Sequence, residues 1–439
     1  MKKKILRVLV LLLAAVIPVL CTMLVSRANG AVPPSPSVHD SGEATAAAAD
    51  ESVSPPSVLS AAESTSKVSV PNGNTAHPDD AAEEEMRGVW IPYMSLQLKE
   101  GERDESHFRQ KIDTMLDNCV RHDLNTVVVQ VRPFGDALYP SRWFPWSHIL
   151  TGTQGQAVDY DPLDIIVRAA HHRHLAVHAW VNPFRISTGQ TPPSLGKDNP
   201  YCRWQNDSDP DNDDYTFTYD GGIYYNPAYP AVRQLIIDGV RELVANYPLD
   251  GVQIDDYFYP SEEEGYDRQS YEAYRHAVSE GCQPLSLGEW RKTNVNMLLA
   301  GMYRAIHQTR GSTVFGIAPQ CNFDNNEKLS ADVLCWCRDN GYMDYLCPQL
   351  YVSMNHPVFP FKALADRWQS LVTDRPIKLY FGLALYKVGT DADGGTWLSD
   401  VDNLSQEIAY LRQSGVDGYL LYSYDYLENA TPLPLHETH

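Results

Sequence analysis

The chain has 439 residues, 43% of them hydrophobic, and carries 56 acidic against 35 basic side chains for a formal net charge of −21. That length holds two or three ordinary domains, or one large α/β barrel with attachments, and the apolar content is ample for a sizeable core. A negative surplus of this size argues against nucleic acid, or another strongly anionic polymer, as the natural partner.

Residues 1–30 have the layout of an export signal. Lys2, Lys3, Lys4 and Arg7 form a basic start, residues 8–25 are apolar, and Ala28-Asn29-Gly30 supplies the small residues a signal peptidase reads. The apolar run is also long enough for an uncleaved membrane anchor, so both readings stand. Cys21 is preceded by Leu20 rather than a small residue, which disfavours a lipoprotein. Residues 31–85 are rich in Ser, Ala, Pro, Glu and Thr without an apolar period, and are expected to be a disordered linker. The protein is accordingly expected outside the cytoplasm, in contact with membrane only through its N-terminal segment.

From Met86 the texture changes and strand and helix patterns alternate. Residues 87–91 (R-G-V-W-I) read as a strand. Residues 106–122 read as a helix with Phe108, Ile112, Met115, Leu116, Cys119 and Val120 on one face and Ser106 as its cap. Residues 126–132 (T-V-V-V-Q-V-R) are nearly continuous in β-branched residues, as in a buried parallel sheet. Asp161-Pro162 opens a helix to about residue 174, and 176–181 (A-V-H-A-W-V) is the third strand. Residues 183–226 read as a long irregular insertion, followed by a helix over 231–246 and the strand 249–254. Further strands are expected at 314–318, 345–350, 378–385 and 418–422, with helices within 288–310 and at 330–340, 361–372 and 402–414. No glycine-rich phosphate loop follows the first strand, which argues against a dinucleotide fold. Eight strand–helix units over residues 86–430 predict a (β/α)8 TIM barrel, with little chain left for an eighth helix.

In such a barrel, catalytic groups sit at the C-terminal ends of the strands. The fourth strand ends L-D-G-V-Q-I-D-D-Y-F-Y-P (249–260), where adjacent carboxylates run into three aromatic rings. Carboxylates can serve as acid, base or nucleophile for glycosidic bonds, and ring faces stack on pyranoses. Asp255 is the expected principal carboxylate, with Asp256 close behind. Strand alternation predicts that Asp255 faces the mouth with Gln253 and Tyr257, while Asp256 turns to packing or a loop. Asp425, after the eighth strand, is the best-placed second acid, with Asp136 and Glu262 as loop alternatives. The remaining strand ends offer Arg132, Asp136, His178, Trp180, Asn182, Arg185, Tyr257, Tyr259, Gln320, Gln349, Tyr351 and Tyr422 as sugar-binding groups. An apolar core alone would not put amides, imidazole, guanidinium and rings at all these ends.

Neither metal nor cofactor is expected. The acidic loop of Asp207, Asp209, Asp211, Asp213 and Asp214 lacks the closing Glu and turn Gly of a calcium loop, and His171, His172, His174 and His178 have no acidic helper at ligand spacing. Of eight Cys, seven lie beyond the signal; none forms a spaced C-x-x-C pair, and the odd number supports no disulfide framework.

M-R-G-V-W-I at 86, N-T-V-V-V-Q-V-R-P-F-G-D-A-L-Y-P-S at 125, H-A-W-V-N-P-F-R at 178, Y-N-P-A-Y-P-A-V-R at 225 and D-G-V-Q-I-D-D-Y-F-Y-P at 250 together resemble the glycosyl hydrolase-like 10 family. The resemblance spans about residues 86–425. It implies a TIM-barrel, exported bacterial protein acting on polysaccharide, some relatives being associated with cell-wall glycan already stripped of its peptides. It also makes Trp146 and Ser147 candidates for substrate contact. A fainter similarity to chitinase-type barrels, D-G-x-D-x-D-x-E on the fourth strand, breaks where Tyr257 replaces the Glu that would be the general acid, so substrate-assisted chemistry of the chitinase type is not expected. The expectation is therefore a glycoside hydrolase of an envelope or extracellular amino-sugar glycan. The rival reading is a non-catalytic barrel that binds envelope glycan as a scaffold.

Overall fold

The computed structural model describes residues 85–278 and 281–427. The segments read as export signal and linker lie outside them, except Glu85, whose carboxylate accepts two hydrogen bonds from Arg412. Among the described residues, no helix is long and apolar enough to cross a membrane.

Eight strands form the frame: β1 (Met86–Ile91), β2 (Thr126–Arg132), β3 (Ala176–Val181), β4 (Gly251–Ile254), β5 (Val314–Ile317), β6 in two pieces (Tyr345–Leu346 and Gln349–Leu350), β7 (Lys378–Leu383) and β8 (Gly418–Leu421). Each pairs in parallel with its neighbours in chain order, and β8 pairs back onto β1 from Met86↔Gly418 to Val89↔Leu421. The sheet is thus a closed eight-stranded barrel, which removes every edge. The expected strands all form, four of the eight a residue or two shorter than expected. The sixth is split at Cys347-Pro348, where proline has no N–H to give the ladder.

The main covering helices are α1 (Glu105–Arg121), α2 (Pro162–His172), α3 (Pro230–Asn246), α4 (Leu287–Thr309), α5 (Phe361–Ser370) and α6 (Asn403–Gln413). Local chemistry sets their starts. Asp161 accepts from the amides of Leu163 and Asp164 ahead of a proline, and Ser286 with Glu289 closes a capping box on α4. On α1 the cap is Asp104, which accepts from the His107 amide; Ser106, the expected cap, is already inside the first turn. A ten-residue helix, Arg268–Ala277, was not foreseen.

The insertion after β3 is not irregular throughout. Arg185–Ser187, Gly222–Tyr225 and Thr216–Tyr219 form a three-stranded antiparallel sheet. Its hairpin turns at Asp220-Gly221, both at positive φ, the conformation that a tight hairpin requires and Asp-Gly favours.

Large side chains fill the barrel's interior, and glycines make room for them. A Cβ at Gly316 would lie 1.9 Å from the Tyr345 ring, and one at Gly251 2.6 Å from the His178 ring.

Candidate active site

The site rests on a buried polar floor. Trp90 Nε1 donates to Gln253 Oε1 (2.5 Å), Gln253 Nε2 donates to the Tyr345 hydroxyl (3.2 Å), and that hydroxyl lies 2.8 Å from His178 Nδ1. Burial pushes the His178 imidazole down to about 4, so the ring is neutral at physiological pH.

Above this floor, at the exit of β4, stand Asp255 and Asp256. Asp255 is 5% exposed. Its Oδ2 accepts from Trp180 Nε1 (3.0 Å) and Asn182 Nδ2 (2.5 Å), whereas its Oδ1 has only the Tyr257 amide at 3.3 Å. Asp256 is half-buried, and each of its oxygens takes an amide donor at 2.9 Å, Gln349 Nε2 on Oδ1 and Gln320 Nε2 on Oδ2. Burial, and next the charge of Asp256, lift the Asp255 carboxyl to about 7; burial also raises Asp256, against the pull of its two glutamines. The charge of each carboxylate therefore disfavours ionisation of the other. Alternation predicted that Asp256 would turn away. Instead β4 ends at Ile254, the backbone leaves the strand, and both carboxylates reach the mouth.

Arg185 supplies the positive charge that both acids feel. Its guanidinium donates to Pro133 O (2.8 Å) and Asn182 Oδ1 (3.0 Å) and lies over the rings of Phe134 and Tyr257, at 5.0 and 4.9 Å. Gln130 ties Asn182 in turn, donating to its Oδ1 at 2.6 Å. A chain of amides therefore fixes the Asp255 side of the pair.

Across the mouth, Tyr351, Tyr386 and Tyr422 have ring centroids 5.6–6.1 Å apart. Burial and the charges of Asp255, Asp256 and Asp425 push the Tyr422 hydroxyl up to about 12. Among the described residues, the hydroxyls of Tyr257, Tyr351, Tyr386 and Tyr422 make no hydrogen bond, and Tyr257 is 52% exposed. Asp425 lies on the short helix Tyr424–Leu427, exposed, and accepts from Ser95 Oγ at 2.6 Å. No group of three or more His, Cys, Asp or Glu side chains able to hold a metal occurs among the described residues.

The description "Glycosyl hydrolase-like 10" matches residues 85–398. The chain belongs to that family. Glycosyl hydrolase YngK of Bacillus subtilis is 32% identical over 376 residues, covering 79% of this chain and 68% of its own. Glycosyl hydrolase DigH of Escherichia coli K12 is 32% identical over 329 residues, covering 69% and 74%. Among solved structures, the PgaB (BpsB) glycoside hydrolase domain of Bordetella bronchiseptica superposes with a TM-score of 0.53 at 14% identity, over 81% of this chain and all of that one, a likeness of fold.

This glycosyl hydrolase-like 10 barrel brings Trp180, Asn182, Arg185, Asp255, Asp256, Tyr257, Gln320, Gln349, Tyr351 and Tyr422 to one mouth, with Asp425 on its rim. It does not bring four others. His178 lies in the floor, because it pairs with Gly251 at the start of β4. Arg132 is 1% exposed on the outer surface of β2, over the Phe144 ring and against Gly239 of α3. A register shift between Gln130 and Arg132 places Arg132 opposite outward-packed Val181, reversing its parity. Tyr259 is buried among Phe184, Phe217, Tyr266 and Arg291. Asp136 is fully buried beneath its loop, where Gln154 donates to it at 3.0 Å. Of the loop candidates suggested by resemblance, Ser147 is buried as the cap of the short helix His148–Thr151, and Trp146 packs against the core. Glu262 is exposed on its loop. Tyr93 and Ser95 went unnoticed because they follow β1 beyond Pro92, yet Tyr93 feels Arg185 and its amide donates to Gln130.

Proposed function

We propose that this protein is a glycoside hydrolase that uses the Asp255–Asp256 pair as its acid–base centre on an amino-sugar polysaccharide, peptide-free peptidoglycan glycan being the foremost candidate. The observation that carries this is the pair itself: two consecutive carboxyls at the end of β4, each held by its own side-chain donors and each raised by burial, the direction that lets a general acid keep its proton. Their environments divide the labour. Asp256, with a good donor on each oxygen, is favoured as the carboxylate, while Asp255 concentrates its donors on Oδ2 and leaves Oδ1 to carry the proton. Family membership and the names of the two bacterial relatives support hydrolysis. The tyrosine wall and its unbonded hydroxyls suit a pyranose, which offers apolar faces and hydroxyl edges. The basic, then apolar N-terminal segment supports export, with substrate met outside the cytoplasm.

The test is reducing-end release from peptide-free peptidoglycan glycan and from chitin-type oligosaccharides, comparing the wild type with Asp255→Asn and Asp256→Asn. Release by the wild type, with a loss of about 10²-fold or more in either variant, is expected. Binding without release would leave a glycan-binding scaffold instead.

A further inference from the structure

A glycosidase that works with two opposed carboxyls places them on either side of the sugar, roughly 5–5.5 Å apart for retention and 6.5–9.5 Å for inversion. Here the two acids, one buried and one half-buried, are consecutive residues on one wall, splayed toward different neighbours, Asp255 to β3 and Asp256 to β5 and β6. The group facing them from the end of β8 is Tyr422, a phenol, not a carboxylate. Asp425 comes three residues later, exposed and held by Ser95. Among the described residues, the β8 side of the mouth presents a phenol and an exposed, Ser95-bound carboxylate to this wall, and two adjacent carboxyls held by different donors are equipped to activate a nucleophile on the substrate.

We infer that the nucleophile is the 2-acetamido group of the sugar itself, so the enzyme acts on N-acylated 2-amino-2-deoxy sugars, with Asp255 donating the proton and Asp256 accepting the amide N–H. This rests on the hydrolase reading above. In the first step the acetamido oxygen forms a bond to C1 as the C1–oxygen bond to the leaving sugar breaks. That leaving oxygen takes the proton from Asp255, and the amide N–H proton moves to Asp256, giving a neutral oxazoline. In the second step water adds at C1 and gives one proton to the Asp255 carboxylate. Asp256 returns its proton to nitrogen, and the ring opens to the acetamido sugar with retained configuration. The atoms and charges balance without a co-reactant. Asp256 is fit for this role because Gln320 and Gln349 hold both its oxygens yet leave each a lone pair. The unbonded hydroxyl of Tyr422 can donate to the acetamido oxygen across the mouth.

The experiment uses one peptide-free glycan, de-N-acetylated and then re-acylated with acetyl, difluoroacetyl or trifluoroacetyl groups. Fluorine withdraws electrons from the carbonyl oxygen without removing the amide. Intramolecular attack is worth effective molarities of about 10⁵–10⁸ M, so the expected kcat falls stepwise by about 10³-fold or more from acetyl to trifluoroacetyl, and β-linked substrate first releases the β-anomer by NMR. Equal rates along the series, or release of the inverted anomer, would overturn the inference and return the second catalytic role to a protein acid such as Asp425. Failure to release ends from any of the three glycans is a different result, blind to the acyl group, and would remove the hydrolase reading together with this one.

Discussion

Asp255→Asn should make the protein more stable at pH 8 while removing its activity. Burial and Asp256 lift the carboxyl from 3.8 to about 7. At about 1.4 kcal/mol per pH unit, ionising it in the folded chain costs about 4 kcal/mol more than in the unfolded chain. The figure falls to about 2 kcal/mol where the coupled Asp256 takes up part of the shift. The sign follows from proton counting: between roughly pH 4 and pH 7 the folded chain holds a proton the unfolded chain has lost, so wild-type stability falls as pH rises through that window. The full cost is present above about pH 7. Arg185, Asp256, Tyr257 and Tyr422 share the field of this carboxyl, and all are unchanged in the variant. Asn never ionises, so it escapes the cost. Its amide nitrogen does oppose the Tyr257 N–H, a loss of about 1 kcal/mol that is independent of pH. The measurement is thermal unfolding of both full chains from pH 4.5 to 8. The variant's Tm relative to wild type should rise by about 4–8 °C over that range, at about 2 °C per kcal/mol. A difference that stays flat, or falls with pH, would refute a buried acid with a raised pKa at this position.

Arg185→Gln removes the cation that holds both acids down, so the alkaline limb of the pH–rate profile should move up by about one unit, measured as kcat/KM against pH. Gln349→Ala strips one of the two donors from Asp256; kcat should fall about tenfold while the unfolding midpoint changes little, Gln349 being half-buried at the mouth. Tyr422→Phe deletes a hydroxyl without a hydrogen bond to the described protein, so folding should be unaffected while kcat/KM drops about 5- to 15-fold. Gly316→Ala drives a methyl into the Tyr345 ring and should lower stability by about 3 kcal/mol, read from the denaturant midpoint.

The frame of this protein was legible because parallel strands buried on both faces must be written in near-continuous β-branched and apolar runs. T-V-V-V-Q-V-R and A-V-H-A-W-V have no other reading of comparable economy. The hairpin in the insertion was equally written, in T-F-T-Y, Asp220-Gly221 and G-I-Y-Y, but its four-residue strands are too short to stand out from the irregular chain before them. Depth along a strand was not legible. His178 and Trp180 both point inward, but only the pairing register puts one against Gly251 in the floor and the other against Gln253 beside Asp255. No composition rule reports register.

Arg132 and Asp256 fail the alternation rule for one physical reason, and they mark its limit. A side chain's face is fixed by parity only while the ladder is regular. At Gln130–Arg132 the ladder slips by one residue, and the guanidinium is carried from the barrel's mouth to its outer packing. After Ile254 the ladder stops, and the backbone is free to turn a second carboxylate toward the site that parity denied it. Strand ends at a barrel mouth are where ladders slip and stop, so the residues that do chemistry there are those whose direction the period of two least constrains. The neighbours that capture a side chain decide its direction instead. Asp256 faces the mouth because Gln320 and Gln349 wait there with amide donors, and those two residues were visible in the sequence at the ends of the next two strands.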